Sequence, residues 1–442
     1  MKKTLFLFTV LLPLSLLSQN LYFPPTVGNT WTTMPITDLG WCQDKVDSLY
    51  SYLEGENSKA FILLKDGEIV LEKYFGTFTQ DSLWYWASAG KTLTAFTVGI
   101  AQQEGHLNIN DTTSDYIGTG WSVAPPLKEE KITIRHQLAM TSGLDELAAG
   151  DPNCTLPSCL PYLADAGTRW AYHTGVYTLL DSVIEVATGM TLNAYINAKI
   201  KTQTGMTGSF FMSGYNNIFV SKPRSMARFG LLMLNKGNWN GNQILTDTAY
   251  FHDMTHPSQN LNNAYGYLTW LNGQSSYLLP YLQLPIPGPV CPNAPSDMYA
   301  AIGKNGQIIN VVPSQNLVFI RMGNASNNAD VSTLLCDTIW QYINQLPCTP
   351  IAVTEGLENG FELYPNPAKD QLTLRCPSEI GHWIDLEIMD QVGKVVFHAI
   401  TKQVPANGNL TLELPNGMQN GVYWLRITTD KGQNISKKLL RL

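Results

Sequence analysis

The sequence predicts an α/β protein: an antiparallel sheet flanked by helices, interrupted by an inserted all-helical domain and followed by a separate C-terminal β-sandwich. Three observations predict it. Strand-like runs lie on both sides of a long middle stretch of short helical pieces, so one sheet must be assembled from distant parts of the chain. That middle stretch, about residues 111–222, is broken by Pro and Gly loops. The composition then changes after Pro347-Cys348-Thr349-Pro350, beyond which only short alternating runs remain. A length of 442 residues also exceeds one ordinary domain.

In chain order, residues 1–18 read as a signal peptide. Lys2 and Lys3 give a positive start, residues 5–17 are almost wholly apolar, and Ser18 is small enough for cleavage. The apolar run is short for a membrane span, and no cysteine follows the cleavage point to carry a lipid. The mature chain then divides into residues 19–350 and 351–442. Trp41, Val46, Leu49, Tyr50 and Leu53 fall at helical spacing. Residues 60–64 and 69–74 flank Lys65-Asp66-Gly67 as a hairpin. Residues 88–103 are free of proline, rich in Ala, Thr and Leu, and closed by Gly105, which predicts a helix with Ser88 in its first turn. Residues 179–188 form the clearest helix of the middle. Strands return at 298–302, 307–312 and 317–322, the last two joined at Pro313-Ser314-Gln315-Asn316, and residues 331–346 close the domain as an amphipathic helix. In the tail, runs at 372–374, 384–388, 394–397, 410–414, 422–427 and 435–440 predict an Ig-like β-sandwich with no catalytic constellation of its own.

With 44% hydrophobic and 14% charged residues the chain has ample core material and is not disordered. A net charge of −7 disfavours nucleic acid or an anionic membrane as the main partner. Export permits disulfides. The seven cysteines leave at least one unpaired within the chain. Cys154–Cys159 is the first expected pair and Cys336–Cys348 the second.

The chemistry centres on Ser88-Ala89-Gly90-Lys91, the single Ser-x-x-Lys of the chain. About one such match is expected by composition, so the pair alone means little. Its placement gives it meaning. A spacing of three puts both side chains on one helix face, within reach of each other. A serine at a helix start sits at the positive end of the helix dipole, which favours a developing oxyanion. Trp84, Tyr85 and Trp86 supply an apolar setting that lowers the proton affinity of the amine, so that it acts as a base.

From about residue 59 to 346 the chain resembles the superfamily of serine β-lactamases, penicillin-binding proteins and related esterases, above all its class C-like and 6-aminohexanoate-dimer-hydrolase-like branch. Ser-x-x-Lys is the first motif of that superfamily. His136-Gln137-Leu138-Ala139-Met140-Thr141-Ser142-Gly143-Leu144 resembles a family landmark, which makes Ser142 a structural residue. Tyr172-His173-Thr174, after Gly167-Thr168-Arg169-Trp170, resembles the second motif, Tyr-x-Asn. The resemblance implies that Tyr172 hydrogen-bonds Ser88 and Lys91 and shuttles a proton. Thr174 stands where the family has asparagine, which points away from a true β-lactamase. Gly303-Lys304-Asn305-Gly306-Gln307 resembles the third motif, and implies that Lys304 binds a substrate carboxylate and that the N–H of Gln307 joins that of Ser88 in an oxyanion hole.

The tail resembles the type IX secretion sorting domain of Bacteroidetes, through Leu363-Tyr364-Pro365-Asn366-Pro367-Ala368, Gly421-Val422-Tyr423-Trp424-Leu425-Arg426-Ile427 and Lys437-Lys438-Leu439-Leu440. This implies passage through the periplasm and outer membrane and a secreted or surface location, with the secretion machinery as partner. Competing constellations are poor. There is no Gly-x-Ser-x-Gly elbow, P-loop or dinucleotide fingerprint. His252 and His256 flank Asp253 where a zincin needs glutamate, so they read as a polar face. The expectation is a serine hydrolase of esters or small amides that needs no metal or cofactor. A β-lactamase or D-Ala-D-Ala carboxypeptidase, and a non-catalytic binder of peptidoglycan on the same fold, are the alternatives.

Overall fold

The computed structural model describes residues 21–148, 150–324, 329–348, 360–377, 383–390, 394–415, 417–430 and 434–442. The expected signal peptide lies outside the described residues. The chain forms two compact units, Met1–Pro347 and Cys348–Leu442.

In the first unit, α1 (Gln43–Gly55) buries Val46, Leu49 and Leu53, the stripe that the helical spacing required. The hairpin β1 (Ser58–Lys65) and β2 (Glu68–Tyr74) turns at Asp66 and Gly67, both with positive φ (52° and 86°), as a two-residue Asp-Gly connection demands. A short strand, β3 (Trp84–Tyr85), leads into α2 (Gly90–Gln103), in which every residue from Gly90 to Ala101 is buried. The middle stretch holds α3 (Ile134–Leu138), α4 (Thr174–Thr188) and several shorter helical pieces. Its last segment leaves the helical pattern. β4 (Ser209–Ser213) and β5 (Asn216–Ser221) form a hairpin that pairs with β3, because Phe219 packs inward on Trp86 and its cross-strand partner Phe210 packs on Phe219.

Next come α5 (Pro223–Leu234), β6 (Trp270–Leu271), β7 (Tyr299–Gly303), β8 (Gln307–Val312), β9 (Leu317–Gly323) and α6 (Thr333–Ile343). The six-stranded sheet runs β2-β1-β9-β8-β7-β6 and is antiparallel throughout. β7, β8 and β9 are buried at every residue because both faces are covered. Gly230 of α5 sits against Val318 and Ile309, while Trp340 of α6 packs on Phe319. Val318 and Phe319 are adjacent, so these two helices cover opposite faces.

The second unit pairs a three-stranded sheet, β10 (Glu362–Tyr364), β11 (Gln371–Arg375) and β14 (Asn409–Glu413), with a four-stranded one, β13 (Val395–Gln403), β12 (Trp383–Met389), β15 (Gly421–Thr429) and β16 (Asn434–Arg441). Leu372, Leu374, Leu386, Ile388, Leu425, Ile427 and Leu439 form its core at alternate positions.

Cys154 and Cys159 are bonded. The expected Cys336–Cys348 pair does not form. Cys336 points into the core from α6 as a free thiol that accepts a hydrogen bond from Asn310, whereas Cys42 and Cys348 are each in a disulfide. Spacing favoured a local pair, but the inward face of α6 keeps the Cys336 thiol inside the core. Cys291 and Cys376 are also free and buried.

Candidate active site

β3 delivers the chain to the site. Trp86 anchors it, with its N–H on the Phe219 carbonyl, its indole Nε1 on Ser221 Oγ at 2.8 Å, and its ring between Phe219 and Phe229. Ala87 then adopts a left-handed φ of 46°, an uncommon and strained conformation for alanine. This kink turns the chain into a single 3₁₀ turn, Ala87–Ala89, that places Ser88 just ahead of α2.

Lys91 Nζ donates to Ser88 Oγ at 2.9 Å. Its ammonium also lies over two aromatic rings, 4.2 Å from the centroid of Tyr177 and 5.1 Å from that of Tyr172. Lys91 is 1% exposed. Burial lowers its pKa to about 7, opposed by the carboxylates of Asp181 and Asp330. A neutral amine at the same distance accepts the Ser88 proton instead of donating.

Burial keeps the Tyr172 phenol well above its usual pKa, with Ser88 beside it opposing the rise. Its ring stacks on Trp270 (6.1 Å, 19°) and meets Tyr265 edge-on. The backbone on either side of Tyr172 is fixed by Met140: Ala171 N–H donates to its carbonyl, and His173 N–H to its Sδ. Thus the segment from His136 to Leu144 acts as a brace. Ser142 is buried, and its Oγ accepts from Leu144 N–H, a structural contact. His173 caps α4 through Nδ1, and burial lowers its pKa to about 4, so it stays neutral.

Ser88, Tyr172, Thr174, Lys304 and Asn305 line one cavity of about 510 Å³. Gly306 and Gln307 lie buried beneath it. Gln307 pairs with Gly303 across the β7–β8 hairpin, and its side chain is held by the backbone of Gly323. A substrate carboxylate was the expected partner of Lys304, but the amine is paired with Asp330 at 3.2 Å. Glu146, also on the wall, is neutralised by a bidentate pair with Arg169 at 2.6 Å.

Sequence reasoning missed several residues. Arg321 is fully buried in β9 and donates to the carbonyls of Asn305, Gly306, Glu56 and Asn324, and to Ser58 Oγ, so it pins the turn of the third motif. Tyr85 accepts from Asn305 Nδ2 at 2.7 Å. Tyr177 was hidden because α4 begins at Thr174, five residues before the helix read from the sequence, and Asp181, inside that helix, had no visible partner without it. Extended back to its true start, the helix puts both on one face at i and i+4.

A family profile described as Beta-lactamase matches residues 55–335, and one described as Secretion system C-terminal sorting domain matches residues 362–441. No curated protein matches the chain. Among solved structures, a protein named as a 6-aminohexanoate-dimer hydrolase from Bacillus anthracis is 18% identical with a TM-score of 0.54, covering 72% of this chain and 89% of its own. One named as a beta-lactamase from Bacteroides dorei is 16% identical with a TM-score of 0.55, covering 70% and 99%. A family VIII carboxylesterase is 14% identical with a TM-score of 0.51, covering 69% and 97%. At these identities the likeness is one of fold.

Proposed function

The chain belongs to the beta-lactamase family, whose members are generally serine hydrolases, and on that premise we propose that it hydrolyses esters or small amides through an acyl-enzyme on Ser88. Its secretion sorting domain directs it by the type IX system to the cell surface or the surrounding medium. The observation that carries the catalytic reading is the 2.9 Å contact between Ser88 Oγ and a buried Lys91 whose pKa is lowered to about 7.

In this mechanism neutral Lys91 takes the proton of Ser88 as Oγ attacks the carbonyl carbon. The oxyanion is met by the N–H of Ser88 and, at the end of β7, the N–H of Lys304. Lys304 replaces Gln307 in this role because it lines the cavity and follows Gly303, which packs on the Ser88 backbone, whereas Gln307 is buried. Tyr172 remains a phenol at neutral pH. It therefore relays a proton to the leaving group, while Lys91 serves as the base. Water attacking the acyl carbon then restores Ser88.

A neutral substrate fits best, since the wall cation Lys304 is already paired with Asp330, and the wall carboxylate Glu146 with Arg169. Penicillins and D-Ala-D-Ala peptides both carry a carboxylate that such a wall leaves unmet. The test is a serine-directed acylating probe with peptide mapping, together with a panel of neutral esters, a cephalosporin and a D-Ala-D-Ala peptide. The expected result is an adduct at Ser88 and turnover of the esters, both lost in Ser88→Ala. Turnover confined to the carboxylate-bearing substrates would replace the ester reading, and absence of any adduct would favour a binding protein.

A further inference from the structure

The helix that follows Tyr172 buries a carboxyl group that the proposed mechanism does not use. Asp181 sits on α4, one turn after Tyr177, and α4 packs against α2, which carries Lys91. The Tyr177 ring supports the Lys91 amine, so the same helix face presents both residues to it. Asp181 is buried. Its Oδ2 accepts from Asn217 Nδ2 at 2.8 Å, and its Oδ1 is buried with no hydrogen-bond partner among the described residues. An ionised carboxylate with one oxygen unmet is costly in an interior. A proton or a nearby cation must offset it, and the cation is Lys91, whose amine lies 4.2 Å from the centroid of the Tyr177 ring one turn back on the same helix face.

We propose that Asp181 is a positioning residue for the hydrolytic reaction, coupled to Lys91 across the α2–α4 contact so that it sets the pH at which the amine is free to act as base. The proposal rests on Lys91 being that base. The charged and titratable groups around the amine are Asp181, Asp330, Tyr172 and Tyr177; those around Asp181 are Lys91, Glu185 and Tyr177. Burial pushes the Asp181 carboxyl up to about 7, where Lys91 also falls, with Asn217 and Lys91 opposing the rise and Glu185 adding to it. The two groups therefore release their protons as a pair near neutrality. While Asp181 is ionised it holds the proton on Lys91; once protonated it releases that hold.

The experiment compares wild type with Asp181→Asn, which keeps the size of the side chain and an oxygen for Asn217. Loss of the negative charge makes Lys91 give up its proton more easily. The acidic limb of kcat/KM is expected to move to lower pH by about one unit. A residue that only braced β5 would lower activity at every pH without moving the limb, and that result overturns the proposal. A second measurement needs no substrate. The infrared band of the protonated Asp181 carboxyl, taken as wild type minus Asp181→Asn, is followed against pH and again in a Lys91→Met background. Without the cation its titration is expected to move to higher pH, and an unchanged titration overturns the proposal. If the titration moves but Ser88 takes no acyl group, the hydrolase reading fails and the Asp181–Lys91 coupling stands.

Discussion

A methyl group added to Gly303 would lie 2.9 Å from the backbone nitrogen of Ser88, 2.8 Å from that of Ala89 and 2.6 Å from the carbonyl oxygen of Trp86. The end of β7 is thus packed directly against the turn that carries Ser88, and the glycine is there because backbone meets backbone. Gly303→Ala must push the two apart. We expect kcat for the best ester to fall by about 10²-fold, the typical effect of misplacing reacting groups by about 1 Å. Circular dichroism should remain that of the folded protein, which separates this loss from unfolding.

The pH profile follows from Lys91. With its pKa lowered to about 7, kcat/KM should rise with pH through neutrality and fall about tenfold per unit well below it. Tyr172→Phe should cost about 10²–10⁴-fold by removing the proton relay while leaving that acidic limb in place. A limb near the ordinary lysine value would contradict the buried-base reading.

Replacing Lys91 should gain stability where it loses activity. Because its folded pKa lies below the unfolded value, the unfolded chain binds the extra proton between about pH 7 and the ordinary lysine range. The residue therefore destabilises the fold most below about pH 7, and less as pH rises through that window. Lys91→Met should raise the thermal midpoint more at pH 6 than at pH 9, as measured by calorimetry. A lowered midpoint at pH 6 would count against it.

Arg321 is expected to matter for both fold and site. Its removal leaves carbonyls of Asn305, Gly306, Glu56 and Asn324 without their donor. Arg321→Met should cost about 2–4 kcal/mol in urea unfolding, from about 1–3 kcal/mol for each buried group left unmet, partly relieved by relaxation. In the surviving folded fraction KM should rise, since Asn305 lines the cavity.

The Cys154–Cys159 bridge lies in the loop that contributes Pro152 and Asn153 to the cavity wall. Replacing both cysteines by serine should cost about 2 kcal/mol on a chain-entropy estimate for so short a loop. It should raise KM more than it lowers kcat, because Ser88 and Lys91 stand on α2 and its leading turn. Steady-state kinetics of the double variant, with and without reductant, check this.

The periodicity of the sequence by itself determined the elements that bury one face: the helix around Val46 and Leu49, the hairpin about Asp66-Gly67, the three central strands and the alternating tail. Each follows from a local repeat of apolar residues or a turn that needs positive φ. The Ser88–Lys91 contact was also legible, because a spacing of three on a helix fixes the neighbours. Tertiary structure decided what local pattern does not encode. It took β4 and β5 out of a stretch that reads as helical, because Phe219, backed by Phe210, finds Trp86 across the chain. It left Cys336 a thiol inside the core, paired Lys304 with Asp330, and set Arg321 under the third-motif turn. It also buried Asp181 one turn beyond the Tyr177 ring that meets Lys91. These relations join residues far apart in sequence, and only the packing of helices against the sheet sets the distances and the burial on which their charges depend.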